Sequence, residues 1–136
     1  MNVIAHGASD VGSVRKNNED HFLVDPELGL YLVCDGMGGH AAGDIASKTA
    51  ADTVRSYLHQ RRDLLRAVAA GKASPDEAAT YLRQAIQAAS AAIYDIGRTD
   101  KSKRGMGTTC VGLLVLGGKG IMGHVGDSRL YLSRAG

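Results

Sequence analysis

Tryptophan is absent and aromatic residues make up only 4% of the 136 residues, so a stacking platform for nucleic-acid bases is not expected. Cysteine is scarce as well. Cys34 and Cys110 form no CxxC pair and no His-linked cluster, which leaves a structural zinc site and a disulfide framework both poorly supported. Nor does either charge dominate: 16 Lys and Arg against 14 Asp and Glu leave +2, too little and too evenly spread to point to nucleic acid or an anionic membrane. The longest apolar run, Cys110 to Leu116, is far too short to span a bilayer. The opening Met-Asn-Val-Ile-Ala-His-Gly has no basic start leading into an apolar stretch, so no signal peptide is read and a soluble, cytoplasmic protein is expected.

What remains is ordinary for a globular chain. Hydrophobic residues at 44% and charged residues at 22% exclude a disordered tail, and 14.2 kDa suits one domain with a real core. Glycine, at 18 residues, points to turns or to backbone approaching a ligand.

Apolar runs at 2–8 and 21–34 read as strands, the second broken into a hairpin by Asp25-Pro26-Glu27-Leu28-Gly29. A helix is expected from about Asp44, with Ile45, Ala46, Thr49, Ala50, Val54, Tyr57 and Leu58 on one face. Arg61-Arg62-Asp63 is placed to interrupt it, and Gly71 to close it. Ser74-Pro75-Asp76-Glu77 has the pattern of a capping box. The helix it opens carries Ala78, Leu82, Ala85, Ala89, Ala92 and Ile96 in a stripe, with Gly97 as its stop and Arg98 to Arg104 as a polar loop. Strands at 109–116 and 121–125 then flank Gly117-Gly118-Lys119-Gly120, with a last strand at 129–133. Three strands, two helices and three strands favour an antiparallel α+β arrangement over a doubly wound parallel sheet.

Acidic residues gather beside glycines at strand ends: Asn18-Glu19-Asp20, Cys34-Asp35-Gly36 and Gly126-Asp127-Ser128. Such carboxylates suit hard divalent cations, although for any one of them a turn aspartate bonded to its own backbone is the commoner use. Two phosphate-loop patterns fail on inspection. Gly38 to Gly43 is followed by Asp44-Ile45 where a nucleotide-binding loop needs Lys and Ser or Thr. Gly118 to Gly123 spells GxGxxG but leads into a strand, with no room for the acid about 20 positions on.

Longer strings are more specific. Gly12-Ser13-Val14-Arg15-Lys16-Asn17-Asn18-Glu19-Asp20 resembles the opening motif of the metal-dependent Ser/Thr protein phosphatases, the PPM or type 2C family. Val33-Cys34-Asp35-Gly36-Met37-Gly38-Gly39-His40 resembles the second motif in its bacterial form. Gly107-Thr108-Thr109 and Gly123-His124-Val125-Gly126-Asp127-Ser128-Arg129 resemble two further motifs in the family's order. The resemblance spans nearly the whole chain, from Ser9 to Leu132.

The resemblance implies a four-layer αββα sandwich, built on antiparallel sheets flanked by helices, and a phosphatase of phosphoserine and phosphothreonine proteins that uses two Mn²⁺ or Mg²⁺ ions. By that likeness Asp35 bridges the metals, the carbonyl of Gly36 helps hold one, and Glu19 and Asp20 bind directly or through water. Asp127 matches a third, weaker metal site, Arg15 the arginine that grips the substrate phosphate, and His40 the group proposed to protonate the leaving oxygen. The bland readings are an exposed charge for Arg15 and a polar residue near a helix start for His40. His6, His21, His59 and His124 match nothing catalytic, and Cys34 reads as a small core residue. Partner proteins would be phosphorylated substrates of a Ser/Thr kinase, with no role for nucleic acid or membrane.

The family carries two further aspartates in its second half, in Ser-Asp-Gly and Asp-Asn motifs, whereas no acid follows Asp127. Residues 1–136 are therefore expected to be the N-terminal portion of one such domain, truncated, with activity belonging to the full-length form. The alternatives are a non-catalytic relative that binds metal or phosphoprotein, and a half-domain completed by another chain.

Overall fold

Two strands with opposite-facing side chains at every second position begin the fold. Asp20–Asp25 (β1) and Leu30–Met37 (β2) pair antiparallel around residues 26–29. The structure is a computed structural model that describes residues 3–7, 20–38, 40–103 (His40 by its backbone alone) and 105–126. In β2, Leu30, Leu32, Cys34 and Gly36 turn to a buried side, while Tyr31, Val33, Asp35 and Met37 turn to the other. The connecting turn is tied down at three points. The Leu28 N–H donates to Asp25 Oδ1 (3.2 Å), Arg55 Nε donates to Asp25 Oδ2 (2.8 Å), and Gly29 adopts φ +70° with its carbonyl accepting from the Val115 N–H (2.8 Å). A Cβ at Gly29 would stand 2.4 Å from the Val115 carbonyl oxygen, so the position admits glycine alone.

Gly107–Thr108 (β3), Cys110–Leu116 (β4) and Lys119–Val125 (β5) complete a five-stranded sheet of order β1-β2-β4-β5, with β3 paired to the end of β2. Every pairing is antiparallel. Gly117 and Gly118, at φ +59° and +83°, form the two-residue turn between β4 and β5, whose positive angles match the strand twist. The GxGxxG string thus lies in a hairpin and its second strand, which settles it as accidental.

Three helices cover one face: His40–His59 (α1), Arg62–Ala69 (α2) and Pro75–Thr99 (α3). Ala46, Ala50, Val54 and Leu58 of α1 and Ala78, Leu82, Ala85, Ala89 and Ile93 of α3 are buried against Leu30, Leu32, Cys34 and Leu114 of the sheet. The α3 helix comes close because Gly112 and Gly123 face each other across β4 and β5; a Cβ at Gly123 would meet Leu82 at 3.2 Å. Tyr57 donates to Gln84 Oε1 (2.6 Å), joining α1 to α3, and the Arg61 guanidinium stacks 3.5 Å over the Tyr57 ring.

Several expectations from the sequence need correction. Residues 3–7 are not a strand: among the described residues they have no ladder partner, and they lie across the open sheet face, where Gly7 packs on the Phe22 ring. The first helix begins at His40 rather than Asp44, directly after the break at Gly38, whose φ of +120° no helix can contain. Gly97 does not stop α3. The glycine costs the helix about 1 kcal/mol, yet the Thr99 hydroxyl donates to Asp95 O (3.0 Å) and the Asp100 N–H to Ile96 O (3.0 Å), carrying the helix to Thr99. A 3-10 turn at Lys101–Lys103 takes up part of the expected loop. The order among the described residues is accordingly two strands, three helices and three strands. Ser74 does cap α3, but its Oγ accepts from the Asp76 N–H (3.2 Å) rather than from Glu77. Gly71, at φ +75°, closes α2 as expected. The proposed strand at 129–133 lies outside the described residues.

Asp25 supplies a pH test. Burial alone would raise its carboxyl, but the hydrogen bonds from Arg55 and Leu28 outweigh burial and hold it below the ordinary 3.8. A depressed carboxylate stabilises the fold fully above its unfolded value, and that stabilisation fades as pH falls through the lower folded value. Asp25→Asn should therefore be less stable than wild type by roughly 1 kcal/mol at pH 7, Arg55 being largely exposed. In urea titrations the gap should narrow steadily below about pH 4; a gap independent of pH would refute the ionic account.

Candidate metal centre

Asp20, the first residue of β1, lies directly opposite Asp35 in the β1–β2 register. Directly paired residues of an antiparallel ladder project to the same face, with Cβ atoms about 4.5–5.5 Å apart. Both carboxylates therefore stand side by side on the sheet face away from the helices, each half-buried. The donor chemistry, two carboxylates with the Gly36 carbonyl next along the strand, is what Mg²⁺ or Mn²⁺ takes.

The position of Asp35 is fixed from the neighbouring strand by Thr109. Its N–H donates to the Asp35 carbonyl (2.8 Å), and its Oγ1 accepts from the Asp35 N–H (3.2 Å). Thr109 is itself almost fully buried. Behind it stands Gly126, at φ +91°, where a Cβ would come within 2.6 Å of Thr109 Cγ2. Gly38, on the other side, passes so near Met106 that a Cβ would stand 2.8 Å from its Cα. Glycines thus let the backbone close around Asp35 from two sides.

The structure brings together Asp20, Asp35 and Gly36 of the residues expected in the site. It places His40 at the first position of α1, just past the end of β2. Arg15, Glu19 and Asp127 lie outside the described residues. Among the described residues no group of three or more His, Cys, Asp or Glu gathers to hold a metal. The sequence reading missed two contributors. Thr109 was in plain view inside Gly107-Thr108-Thr109, but its grip on Asp35 depends on a strand pairing across 74 positions. His21, which matches no catalytic residue, donates from Nε2 to Asp44 Oδ1 (2.9 Å) and ties the start of β1 to α1. His124 sits in β5 as expected, though exposed rather than packed.

Residues 12–136 match the family model for protein phosphatase 2C. The chain belongs to the protein phosphatase 2C family. It is 34% identical over 127 residues to a Listeria monocytogenes serine/threonine phosphatase, covering 91% of this chain and 47% of that protein. Against a Streptococcus pneumoniae protein phosphatase the identity is 32% over 130 residues, with 93% and 48% covered. The crystal structure of the Mycobacterium tuberculosis serine/threonine phosphatase PstP superposes with a TM-score of 0.68 at 34% identity, over 90% of this chain and 46% of that one. A second structure, the PstP catalytic domain in complex with two manganese ions, gives the same TM-score and identity. The type 2C fold and bacterial kinship expected from the motifs are thus borne out. The chain spans about half the length of the relatives it matches.

If Thr109 positions Asp35, Thr109→Val should weaken Mn²⁺ binding about tenfold, the usual lower cost of losing a partner that orients a metal ligand. Thr109→Ser, which keeps the oxygen, should bind as wild type. Calorimetric titration with Mn²⁺ checks both; equal affinities for the valine and serine variants would remove Thr109 from the site.

Proposed function

We propose that this chain is the N-terminal portion of a single protein phosphatase domain that hydrolyses phosphoserine and phosphothreonine in proteins, its substrates being products of a Ser/Thr kinase. The observation that carries the reading is the facing pair Asp20 and Asp35 with the Gly36 carbonyl next along the strand, an all-oxygen donor set of the kind hard divalent cations take. Asp20, Asp35 and the Gly36 carbonyl would hold Mn²⁺ or Mg²⁺, joined by Glu19 directly or through water, with Asp127 serving a third, weaker position. Bound there, the metals supply an activated water and screen the charge of the phosphoryl oxygens in an in-line displacement.

The remaining work falls to the chain's own groups. Arg15, with its planar fork of donors, grips two phosphate oxygens and fixes the phosphorus in line, which Lys would do less well. His40 delivers a proton to the departing seryl or threonyl oxygen. Neither cysteine serves as a nucleophile, since both are buried on the opposite side of the sheet. No described helix is long and apolar enough to cross a membrane, in keeping with a phosphatase acting in the cytoplasm.

A second reading, that another polypeptide completes the domain, draws on the open sheet face. Phe22, Val24, Val33 and Met122 are exposed there, and a groove of about 620 Å³ runs beneath residues 3–7. Co-purification of a second chain that covers this face would favour it.

Thermal unfolding tests the metal reading. In EDTA, wild type and Asp35→Asn supply the two metal-free baselines. Mn²⁺ at a hundred times its Kd should stabilise wild type by about 2.7 kcal/mol and leave the variant nearly unchanged. Parallel responses of the two proteins would reject the site. With the rest of the domain joined on, hydrolysis of p-nitrophenyl phosphate should require Mn²⁺ or Mg²⁺. Asp35→Asn should lower that rate about a hundredfold or more; metal binding without turnover would point instead to the non-catalytic relative.

A further inference from the structure

We propose that Cys34 and Cys110 are a paired oxidation site, closing to a reversible cross-strand disulfide with hydrogen peroxide and so disturbing the backbone that carries Asp35. This goes beyond the phosphatase reading in its chemistry, and only its last step, the effect at Asp35, rests on that reading.

Geometry favours the bond. Val33 pairs with Val111 and Gly36 with Thr108, so the two positions between them set Cys34 opposite Cys110 and Asp35 opposite Thr109. Thr109 N–H donates to the Asp35 carbonyl, which makes that pair a hydrogen-bonded one and the cysteine pair beside it the other, closer kind. Cα atoms in such pairs lie about 4.5 Å apart, inside the roughly 4.4–6.8 Å range of disulfides. Both thiols point to the helix side and both are buried.

Access is available on one side only. A cavity of about 290 Å³ between α3 and the strands is lined by Cys110, with Ala89, Ser90, Ile93, Met106 and Thr108, whereas Cys34 does not line it. Since a water molecule occupies about 30 Å³, a peroxide fits and meets Cys110 first. The Cys110 sulfur attacks one peroxide oxygen: an S–O bond forms, the O–O bond breaks, and the thiol proton leaves with the other oxygen as water. Sulfur is oxidised by two electrons and the peroxide reduced by two. The Cys34 sulfur then attacks the Cys110 sulfur, the S–O bond breaks, and the second thiol proton departs with that oxygen as a second water. One peroxide and two thiols yield one disulfide and two waters, and a small thiol reverses the bond by exchange. Closing it draws the two Cβ atoms toward about 3.8 Å, one residue from Asp35 and its partner Thr109.

The test treats the purified chain with stoichiometric hydrogen peroxide. The expected product has lost two hydrogens by intact mass, shows no free thiol after unfolding, and yields a non-reduced peptide pair joining Cys34 to Cys110; dithiothreitol restores the original mass. Cys34→Ser should stop at a sulfenic acid that dimedone traps on Cys110. Two thiols still free, oxidation without linkage, or links between chains alone would each overturn the proposal. Oxidised protein should also show less thermal stabilisation by Mn²⁺ than reduced protein. An unchanged Mn²⁺ response overturns the coupling to Asp35. No response even in the reduced chain overturns the metal reading and the coupling with it, while the linkage is judged by the mass map.

Discussion

Strand β2 runs between β1 and β4, and its register against both is pinned at the far end by the Asp25–Gly29 turn. There, Asp25 accepts from Leu28 and Arg55, while Gly29 offers its carbonyl to Val115 with no room for a side chain. A slip of one residue would turn Leu30, Leu32 and Cys34 out of the core and Asp35 into it, because side chains alternate with period two. The buried leucines and the carboxylate at the site are thus consequences of one alignment. The same register sets Asp20 against Asp35 and Cys34 against Cys110 on opposite faces of the sheet.

The two faces have different fates. Helices α1 and α3 cover one, where alanines and the facing glycines Gly112 and Gly123 allow close approach. On the other, Phe22, Val24, Val33 and Met122 remain exposed, with Asp20 and Asp35 along the same face at one end. A surface so apolar is ordinarily covered by another element or another chain.

Much of this was legible in the chain. The apolar run at 21–34 broken by Asp25-Pro26, the Ser74-Pro75 start of α3 and the glycine turn between β4 and β5 all act through neighbours, so local chemistry reveals them. The errors share a cause. A glycine at 97 reads as a stop, but Thr99 and Asp100 supply the bonds that continue the helix. An apolar run at the N-terminus reads as a strand, but a strand needs a partner, and residues 3–7 have none among the described residues. Motif likeness found Asp20 and Asp35 and could not say how they stand to each other.

The amino-acid sequence alone determined most element types after the first strand, the antiparallel class, the family through its ordered motifs, and the candidate residues those motifs contain. Each depends on spacing, propensity or likeness along the chain. Only the tertiary structure decided that Asp20 faces Asp35, that Thr109 holds Asp35 from both its N–H and its carbonyl, that His21 reaches Asp44, and that Cys110 lies over Cys34. Those relations join residues far apart in the chain, and they exist only once strand register and helix packing have brought the backbones together.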